Sequence, residues 1–524
     1  MKLLIILLLS IQLNALSLLQ ETLHSEHILN DNIIYKEKLN NLYKLHNYNY
    51  IWATPQKREE IIRVLSLSVS HGVDPQLLHI FAINTILESV EMSYNMKKMY
   101  LDILINDAIY SYISILSNSI VNPKNLHAFW NIHTKKYDLN REFIKLLALP
   151  TAKYETFFEA LAPQHFFYQN TKKSLIQYLY IKEKYHYFPT VSLQSTLRLN
   201  DKHPAIVKLR AQLYYENFLE NNSNSDIFDL SFENALKAYQ TQHSKKPDGI
   251  LGHDTLKLFQ ISLDEKIQKI SLNLERARWV LHVLSKEYIV VNIASYLLYY
   301  IKDSHIEFST PVIVGKQMHE TPVFTGKMHF IVYNPTWTVP YSIAANEILE
   351  KVQVDAEYMK KKNLELLNRR MQVVSDSEID FSTFTPEDFP YTFRQKSGEK
   401  NSLGRIKFLF PNSNAIYLHD TPARYLFEQE KREFSHGCIR VKNPFKLSKK
   451  ILTNQGQWNK DVEALQESLT TTRLTLKKRI PTLLMYWTAA ADIEGNIYFY
   501  DDHYHLDENL TQAIEIKIQE SYFK

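Results

Sequence analysis

The sequence predicts an α+β protein of several domains: a helical N-terminal scaffold, a small three-helix unit and a mostly-β C-terminal part with a helical insertion. Three observations favour this class. The chain has 524 residues, too many for one ordinary core. Apolar residues recur at helical spacing through its first third. From Tyr288 onward, β-branched and aromatic residues alternate with polar ones between glycines and prolines, which is typical of strands.

The composition excludes several classes of protein. Apolar residues make up 45% and charged residues 23%, as in soluble globular proteins. The net charge is only +4 and there is no long Lys/Arg block, so we expect no nucleic-acid partner. The stretch "DDHYHLDE" (501–508) combines acids and histidines but lacks the spacing of a helical zinc motif. We predict a solvated loop there, and neither a metal nor a cofactor.

The N-terminus has the pattern of a signal peptide, residues 1–17. Lys2 is followed by the apolar run Leu3–Leu9 and by small residues at Asn14–Ser17. The run is far shorter than the ~20 residues that a spanning helix needs. No cysteine stands near the cleavage site, which argues against a lipoprotein start. We expect export to the periplasm without a stable membrane anchor after cleavage.

Residues 18–190 predict the helical scaffold. "REEIIRVLSLSVSHGVDPQLLHI" and "LDILINDAIYSYISILSNSI" carry apolar residues three and four apart with few helix breakers. The aromatic residues of this region are expected to pack between helices. We assign no chemistry to it.

Residues 197–262 predict the three-helix unit. "SFENALKAYQTQHSKKPDGILGHDTLKLFQISL" indicates a helix, a turn at Pro247–Gly249 and a second helix. The order of residues resembles the peptidoglycan-binding domain that many wall-active enzymes carry; the matching positions are Ala235, Leu236, Tyr239, Gln240, Asp248, Gly249, Ile250, Gly252, Thr255 and Leu256. The resemblance implies a wall-binding unit.

Residues 280–502 predict a mostly-β catalytic domain, followed by a tail at 503–524. "YIVVNIASYLLYYI" and "KMHFIVYNPTWTVP" have strand character. The polar, partly helical interval 342–403 is too long for a bare loop inside a β domain. We therefore interpret it as an insertion that caps a binding site.

The segment "EFSHGCIRVKNP" (433–444) contains Cys438, the only cysteine of the chain. In an exported protein an odd cysteine suggests a reactive thiol. His419 at a strand end, His436 and Arg440 are candidates for lowering its pKa, and amides around Gly437 could donate to an oxyanion. Asp420 could orient His419 through its carbonyl or its side chain. The alternatives are a buried structural cysteine, a structural histidine and solvated arginines at 405 and 440.

The segment "HDTPARYLFEQEKREFSHGCIRVKNP" closely resembles the active-site motif of the L,D-transpeptidases, whose catalytic domain is called YkuD-like. Six residues fill the motif: His419, Ser435, His436, Gly437, Cys438 and Arg440. "HETPVFTGKM" and "NPTWTVPYSI" are similar to strands that approach the active site in that family. The order of domains is similar to its large Gram-negative subgroup.

The resemblance implies that Cys438 forms a thioester with a tetrapeptide stem, releasing D-Ala, and that a neighbouring diaminopimelate amine resolves it into a 3–3 cross-link. It assigns the general base to His419 and a thiol-positioning or oxyanion role to His436, while Ser435 and Gly437 shape the loop. Arg440, with Arg405, would bind a stem carboxylate. Trp337 and Tyr417 are either walls of the stem channel or ordinary strand aromatics. The implied partners are stem peptides and other wall-synthesis proteins.

Several alternatives stay open at this stage. An L,D-carboxypeptidase would use the same cysteine and trim tetrapeptides to tripeptides. A related enzyme would transfer the acyl group to a protein lysine. A non-enzymatic wall-binding scaffold would rely on residues 197–262 alone. The sequence also leaves open which of the two histidines takes the thiol proton.

Overall fold

The computed structural model describes residues 19, 22, 27–28, 31–127, 137–186, 188, 190–282, 284–377 and 379–521. The predicted signal peptide lies outside this part of the chain. The described residues form two compact units. We call them the helical unit, which contains residues up to 282 and again from 487, and the β unit, residues 284–486.

The helical unit opens with a short strand pair and continues as successive helices. In chain order up to residue 282 its elements are β1 His27–Ile28, β2 Asp31–Asn32, α1 Lys36–Leu45, α2 Pro55–Ser66, α3 Ile80–Glu88, α4 Tyr94–Ser117, α5 Leu139–Leu147, α6 Tyr154–Leu161, α7 Phe166–Tyr185, α8 Pro204–Tyr215, α9 Leu230–Gln242, α10 His253–Gln260 and α11 Leu263–Arg278. The predicted helical N-terminal part is confirmed.

Helix α4 forms the centre of the helical unit. Within the described residues it is the one helix long and apolar enough to cross a membrane, but 89% of its apolar window is buried inside the unit. Its acidic side chains have partners: Asp102 accepts hydrogen bonds from the Trp52 amide and the Tyr43 hydroxyl, and Asp107 accepts from two backbone amides. Because these polar groups are satisfied internally, α4 has the character of a core helix.

Helices α8, α9 and α10 share one apolar core, which confirms a helical unit in the region of 197–262. Gln240 on α9 holds the connection to α10. Its Oε1 accepts from the Gly249 amide at 2.9 Å, and its Nε2 donates to the Asp248 carboxylate at 2.9 Å. The side-chain amide thus fixes the loop that the sequence marks with Asp-Gly.

The β unit alternates strands with short helices. Its elements are β3 Glu287–Asn292, β4 Leu297–Lys302, β5 His305–Gly315, β6 Phe324–Tyr333, β7 Trp337–Thr338, α12 Tyr341–Ile343, a π-helical turn Ala344–Ile348, α13 Leu349–Val354, α14 Tyr358–Lys361, β8 Leu364–Leu367, β9 Val373–Val374, β10 Thr392–Gln395, β11 Ile406–Leu409, β12 Leu418–His419, β13 Glu433–Ser435, β14 Ile439–Val441, α15 Pro444–Asn454, α16 Lys460–Ala464 and β15 Thr472–Met485.

The main sheet of the β unit closes on itself. Its strand order is β13-β5-β14-β12-β11-β6-β15-β3-β4. The first part of the long strand β5 pairs with β4 and its last part with β14, so the two sides of the sheet meet. Within it, β12 and β14 are parallel neighbours, and β11 is antiparallel to β12. The predicted mostly-β character of this part is confirmed.

The insertion, residues 342–403, is richer in strand than the sequence predicts. Besides short helices it contributes β8, β9 and β10 to a four-stranded sheet of order β7-β10-β8-β9. Leu349, Leu366 and Phe393 belong to its own apolar core. The strands have two to four residues, too few for a period-2 pattern to be recognised in the sequence.

The C-terminal boundary also differs from the sequence-based domain limits. The predicted catalytic domain extends to residue 502, whereas the structure assigns residues from 487 onward to the helical unit. There the hairpin β16 Ala489–Ala491 and β17 Ile497–Phe499 is followed by α17 Leu506–Glu520, in place of a tail. The reason is aromatic packing: Trp487 and Phe499 lie 5.5 and 5.9 Å from the rings of Phe167 and Tyr178 on α7.

Candidate active site

Cys438 lies in the tight connection between β13 and β14. It is partly buried, and its Sγ lies 3.7 Å from the carbonyl oxygen of Ala415. Gly437 before it has a φ of +101°, a region that L side chains rarely adopt, and an added Cβ would lie 3.3 Å from the Ile416 side chain. The turn that presents the thiol therefore requires glycine.

Hydrogen bonds fix this turn and decide which amide is available. The Gly437 amide donates to Ser435 Oγ at 3.0 Å. Thr321 Oγ1 donates to the Gly437 carbonyl at 2.8 Å and accepts from the Gly315 amide at 2.9 Å. The Cys438 amide has no acceptor among the described residues. Ser435 and Gly437 thus shape the loop, and the backbone donor available to an oxyanion is the amide of Cys438 rather than that of Gly437.

His419 is a buried, neutral imidazole. Its Nδ1 donates to the carbonyl oxygen of Asp420 at 2.5 Å, which leaves Nε2 as the proton acceptor. Burial, followed by the positive charge of Arg440, lowers the pKa of His419 to about 3. The imidazole is therefore in its basic form throughout the physiological range.

Strand register places the motif on one face of the sheet. Leu418 and His419 pair with Ile439 and Arg440 in the parallel β12–β14 ladder, and the Ile439 amide donates to the Tyr417 carbonyl at 3.1 Å. Side chains alternate between the two faces of a strand. Tyr417, His419, Cys438 and Arg440 therefore project to the same side, opposite Leu418 and Ile439.

Two cations act on the thiol. Lys407 on β11 is the cross-strand neighbour of His419 and interacts electrostatically with Cys438, as does Arg440. Burial raises the pKa of Cys438, while Tyr417, Lys407 and Arg440 lower it, and the net direction is upward. The resting thiol is therefore protonated at neutral pH, and a nucleophilic step requires proton transfer to a base.

One aromatic side chain adjoins the thiol and a second adjoins the first. The Tyr417 ring lies 5.6 Å from the His419 ring, and its hydroxyl interacts with Cys438 and Trp337. Burial raises the pKa of Tyr417 strongly, so its hydroxyl stays protonated and can donate. Trp337 lies on β7, the strand that pairs with β10 of the insertion. The structure thus brings Tyr417 to Cys438, and Trp337 to Tyr417.

His436 faces the insertion. Its Nε2 lies 2.8 Å from the carboxylate of Glu347, which the π-helical turn presents, and both side chains are about one-third exposed. The His319 ring lies 5.1 Å away. Burial lowers the pKa of His436 and Glu347 raises it, with a net lowering. This contact joins the cysteine motif to the insertion.

Two of the sequence-predicted binding residues are engaged elsewhere. The Arg405 guanidinium donates to Asn334 Oδ1 and to the carbonyls of Gln466 and Ser468, at 2.6–2.9 Å. Asp420 is buried; its carboxylate accepts from the Arg405 amide and pairs with Arg424. Arg405 therefore stabilises the loop that contains Gln466 and Ser468, and Asp420 contributes to the site through its backbone carbonyl.

Sequence reasoning missed Lys407, Thr321 and Glu347. Lys407 had a signal, since a lysine interrupts the otherwise apolar strand "IKFLF". Thr321 lies within "HETPVFTGKM", but a single threonine in a sequence does not indicate that its hydroxyl hydrogen-bonds to both Gly315 and Gly437. No sequence signal marks Glu347, because its partner His436 lies 89 positions further along the chain.

Comparisons with known proteins agree with this geometry. Residues 286–470 match the family model of the YkuD L,D-transpeptidase catalytic domain. Residues 37–175 match a scaffold domain, and residues 202–259 match a family described as "Putative peptidoglycan binding domain".

One curated relative and two solved structures are also similar. A Haemophilus influenzae protein described as "Putative L,D-transpeptidase" is 34% identical over 246 residues, 47% of this chain and 49% of the relative. The match thus spans about half the length of that relative. L,D-transpeptidase crystal structures from Stackebrandtia nassauensis and Xylanimonas cellulosilytica are each 12% identical, with TM-scores of 0.21 and 0.16. They cover 55% and 56% of this chain and 94% and 99% of their own.

Proposed function

As the chain carries an L,D-transpeptidase catalytic domain at residues 286–470, we propose that it forms 3–3 cross-links between diaminopimelate residues of peptidoglycan stem peptides. The observation that carries the proposal is that one thiol and one candidate base lie on the same face of the sheet. Cys438 shares a sheet face with His419, a buried imidazole whose Nδ1 donates to the Asp420 carbonyl, so that Nε2 is the ring nitrogen without a proton.

The first half-reaction acylates the enzyme. Cys438 gives its proton to His419 Nε2 while Sγ bonds to the carbonyl carbon between the third and fourth residues of a tetrapeptide. The oxyanion that develops accepts a hydrogen bond from the Cys438 amide, which has no other acceptor among the residues that the structure describes. The C–N bond then breaks, His419 returns the proton to the leaving amine, and D-Ala departs from a thioester.

The second half-reaction transfers the acyl group. The side-chain amine of a second diaminopimelate attacks the thioester carbon and gives a proton to His419. The C–S bond breaks, the proton returns to sulfur, and an amide cross-link remains. No cofactor takes part in this scheme.

Substrate recognition uses the charged and aromatic rim of the site. The Arg440 guanidinium has no carboxylate within ion-pair distance in the described part of the chain, and it is suited to a stem carboxylate. Tyr417 lies beside the thiol and interacts with Trp337, and the two aromatic side chains are suited to contact the stem. Glu347 of the insertion borders the same site through His436.

We further propose that the protein works in the periplasm. The N-terminal pattern of residues 1–17 supports export, and the matched peptidoglycan-binding region at 202–259 supports retention at the wall. Stem peptides are the proposed partners, with other wall-synthesis proteins as neighbours. The acyl-enzyme chemistry also makes Cys438 the proposed target of carbapenems.

Mass spectrometry of muropeptides tests this function. The mature protein and its Cys438→Ala variant are each incubated with purified disaccharide-tetrapeptide. We expect cysteine-dependent dimers that are one D-Ala lighter than two tetrapeptides. Cysteine-dependent tripeptide monomers without dimers would replace the proposal with an L,D-carboxypeptidase. Substrate left unchanged, both in solution and within intact sacculi, would favour a non-enzymatic wall-binding protein.

A further inference from the structure

Three basic side chains form a row across the sheet beneath the thiol. Lys407 of β11 pairs in register with His419 of β12, and His419 pairs with Arg440 of β14. Directly paired residues on neighbouring strands project to the same face and lie close together. The neutral imidazole is therefore flanked by two cations, one strand away on either side.

Lys407 is held against an aromatic ring beside the nucleophile. Its Nζ lies 3.6 Å from the centroid of Tyr417, the residue whose hydroxyl interacts with Cys438. A cation above a ring face is attracted by the ring's quadrupole. This contact fixes the ammonium close to the sulfur instead of letting it extend into solvent.

Lys407 also lacks the partner that well-buried lysines have elsewhere in this chain. Lys266 pairs with Glu216 at 2.7 Å, and Lys172 pairs with Glu159. Among the residues that the structure describes, no carboxylate lies within ion-pair distance of Lys407. A partly desolvated ammonium without an anion has an electrostatic cost unless an anion forms nearby.

We propose that Lys407 is a positioning residue for Cys438, whose ammonium, fixed by Tyr417, stabilises the negative charge on sulfur as His419 removes the proton. Lys407 acts through its charge and through Tyr417, and it need not touch substrate. The role of this charge in catalysis rests on the proposed function. The charge effect itself concerns the thiol alone and can be measured without any stem peptide.

The neighbouring groups set the sign of the effect. Lys407, Tyr417 and Arg440 interact with Cys438, His419 lies on the same sheet face between Lys407 and Arg440, and the His436–Glu347 pair lies on the insertion side. Lys407 lowers the pKa of both Cys438 and His419. Removing its charge should therefore raise both pKa values, so the thiolate becomes harder to form while the imidazole becomes a stronger base.

Alkylation of Cys438 tests the proposal directly, because it is the only thiol in the chain. The rate of its reaction with iodoacetamide is followed by intact mass from pH 6 to pH 11 in the full chain. The variants are Lys407→Met, Lys407→Arg and, as a matched control, Lys327→Met, which removes the same charge from an exposed position on β6.

We expect Lys407→Met to move the midpoint of the profile upward by about one pH unit, which slows alkylation about tenfold below the midpoint. Lys407→Arg and Lys327→Met should keep the wild-type midpoint. A Lys407→Met protein that is folded by circular dichroism and has an unchanged midpoint would overturn the proposal, as would an equal shift in Lys327→Met.

A second pair of measurements covers the case in which Lys407→Met does not fold. Lys407→Gln then takes its place with the same expected shift. In wild type, anionic iodoacetate should react faster relative to neutral iodoacetamide than it does with free cysteine, because the site is cationic. Raising the salt concentration should abolish that preference. A wild-type ratio equal to that of free cysteine would count against a cationic thiol site.

Discussion

At the scale of single residues, the candidate base is oriented by a carbonyl and not by a carboxylate. The Asp420 carbonyl fixes the tautomer of His419, but it does not neutralise an imidazolium as a carboxylate would. Burial, Arg440 and Lys407 all act against the charged form. In the proposed mechanism the protonated imidazole is therefore a short-lived species that passes its proton to the leaving amine.

The two motif histidines should differ in their importance. His419→Ala removes the proton acceptor beside Cys438, so acylation by a carbapenem should fall by at least about a hundredfold. His436→Ala should leave slow acylation, because the His436 ring is directed to Glu347. The measurement is the rate of mass increase of the protein after mixing with the carbapenem.

Cys438→Ala provides the background for this comparison, since it has no nucleophile. Both histidine variants must unfold at temperatures near that of wild type for their rates to be compared. Faster acylation in His419→Ala than in His436→Ala would reverse the assignment of the base.

Sequence reasoning found most of the site at this scale because the motif is local. Ser435 to Arg440 form one short connection from β13 into β14, and β14 pairs with β12, which carries His419, so their proximity follows from a short stretch of chain. Arg405 shows the limit of such reasoning. Its guanidinium donates hydrogen bonds to carbonyls about sixty positions further along the chain, and no local pattern predicts those bonds.

At the scale of elements, the insertion is tied to the cysteine motif by one ion pair. Glu347 belongs to a π-helical turn, a geometry that is rare and frequent at functional sites. The turn places the carboxylate 2.8 Å from His436 Nε2. The insertion is therefore an element of the site as well as a small folded body.

Loss of this ion pair should loosen the start of the insertion. A partly exposed pair contributes roughly 0.2–1 kcal/mol. Glu347→Ala should therefore speed amide hydrogen exchange in residues 341–361 by up to about fivefold. Exchange measured by mass spectrometry on peptides from this segment gives the answer.

Glu350→Ala is the matched control, because Glu350 is an exposed acid on the next helix. It should leave the exchange of the segment near that of wild type. In a His436→Ala background, Glu347→Ala should have little further effect. An equal acceleration in that background would show that Glu347 acts through some other contact.

Elements were predictable where their pattern is long. Strands β3, β4 and β6 have six to ten residues of apolar and β-branched character, and the sequence indicates them. Strands β7 to β10 have two to four residues, and the insertion therefore seemed mainly helical. The hairpin β16–β17 falls within the part that the sequence predicts as mostly β, but its assignment to the helical unit depends on ring contacts with α7 that are distant in sequence.

At the scale of the whole molecule, buried neutral histidines make the fold sensitive to acid. Burial lowers the pKa of His127 and His165 to about 4, and that of His419 to about 3. Unfolded histidines titrate near 6.5. Between these values the unfolded chain binds more protons than the folded chain, so the free energy of unfolding decreases as pH falls below about 6.5.

Thermal unfolding at constant ionic strength should therefore show midpoints that decrease from pH 7.5 to pH 5. Carboxyl groups contribute mainly below this window, where Asp102 and Asp420, whose pKa values burial raises, act in the opposite direction. His165→Gln should flatten the dependence slightly, whereas His305→Gln, at an exposed position, should not. A midpoint that is constant from pH 7.5 to pH 5 would contradict the expectation.

The division of the chain into units has a consequence for the order of synthesis. The β unit occupies residues 284–486, between two stretches that both belong to the helical unit. A ribosome builds a chain from its N-terminus, and domains generally fold as units during that process. Arg276, buried in the helical unit, acquires its ion-pair partner Asp507 only after the β unit has been synthesised. The helical unit is thus begun before the β unit and continued after it, and a chain interrupted within the β unit would leave the interior of the helical unit open to proteases.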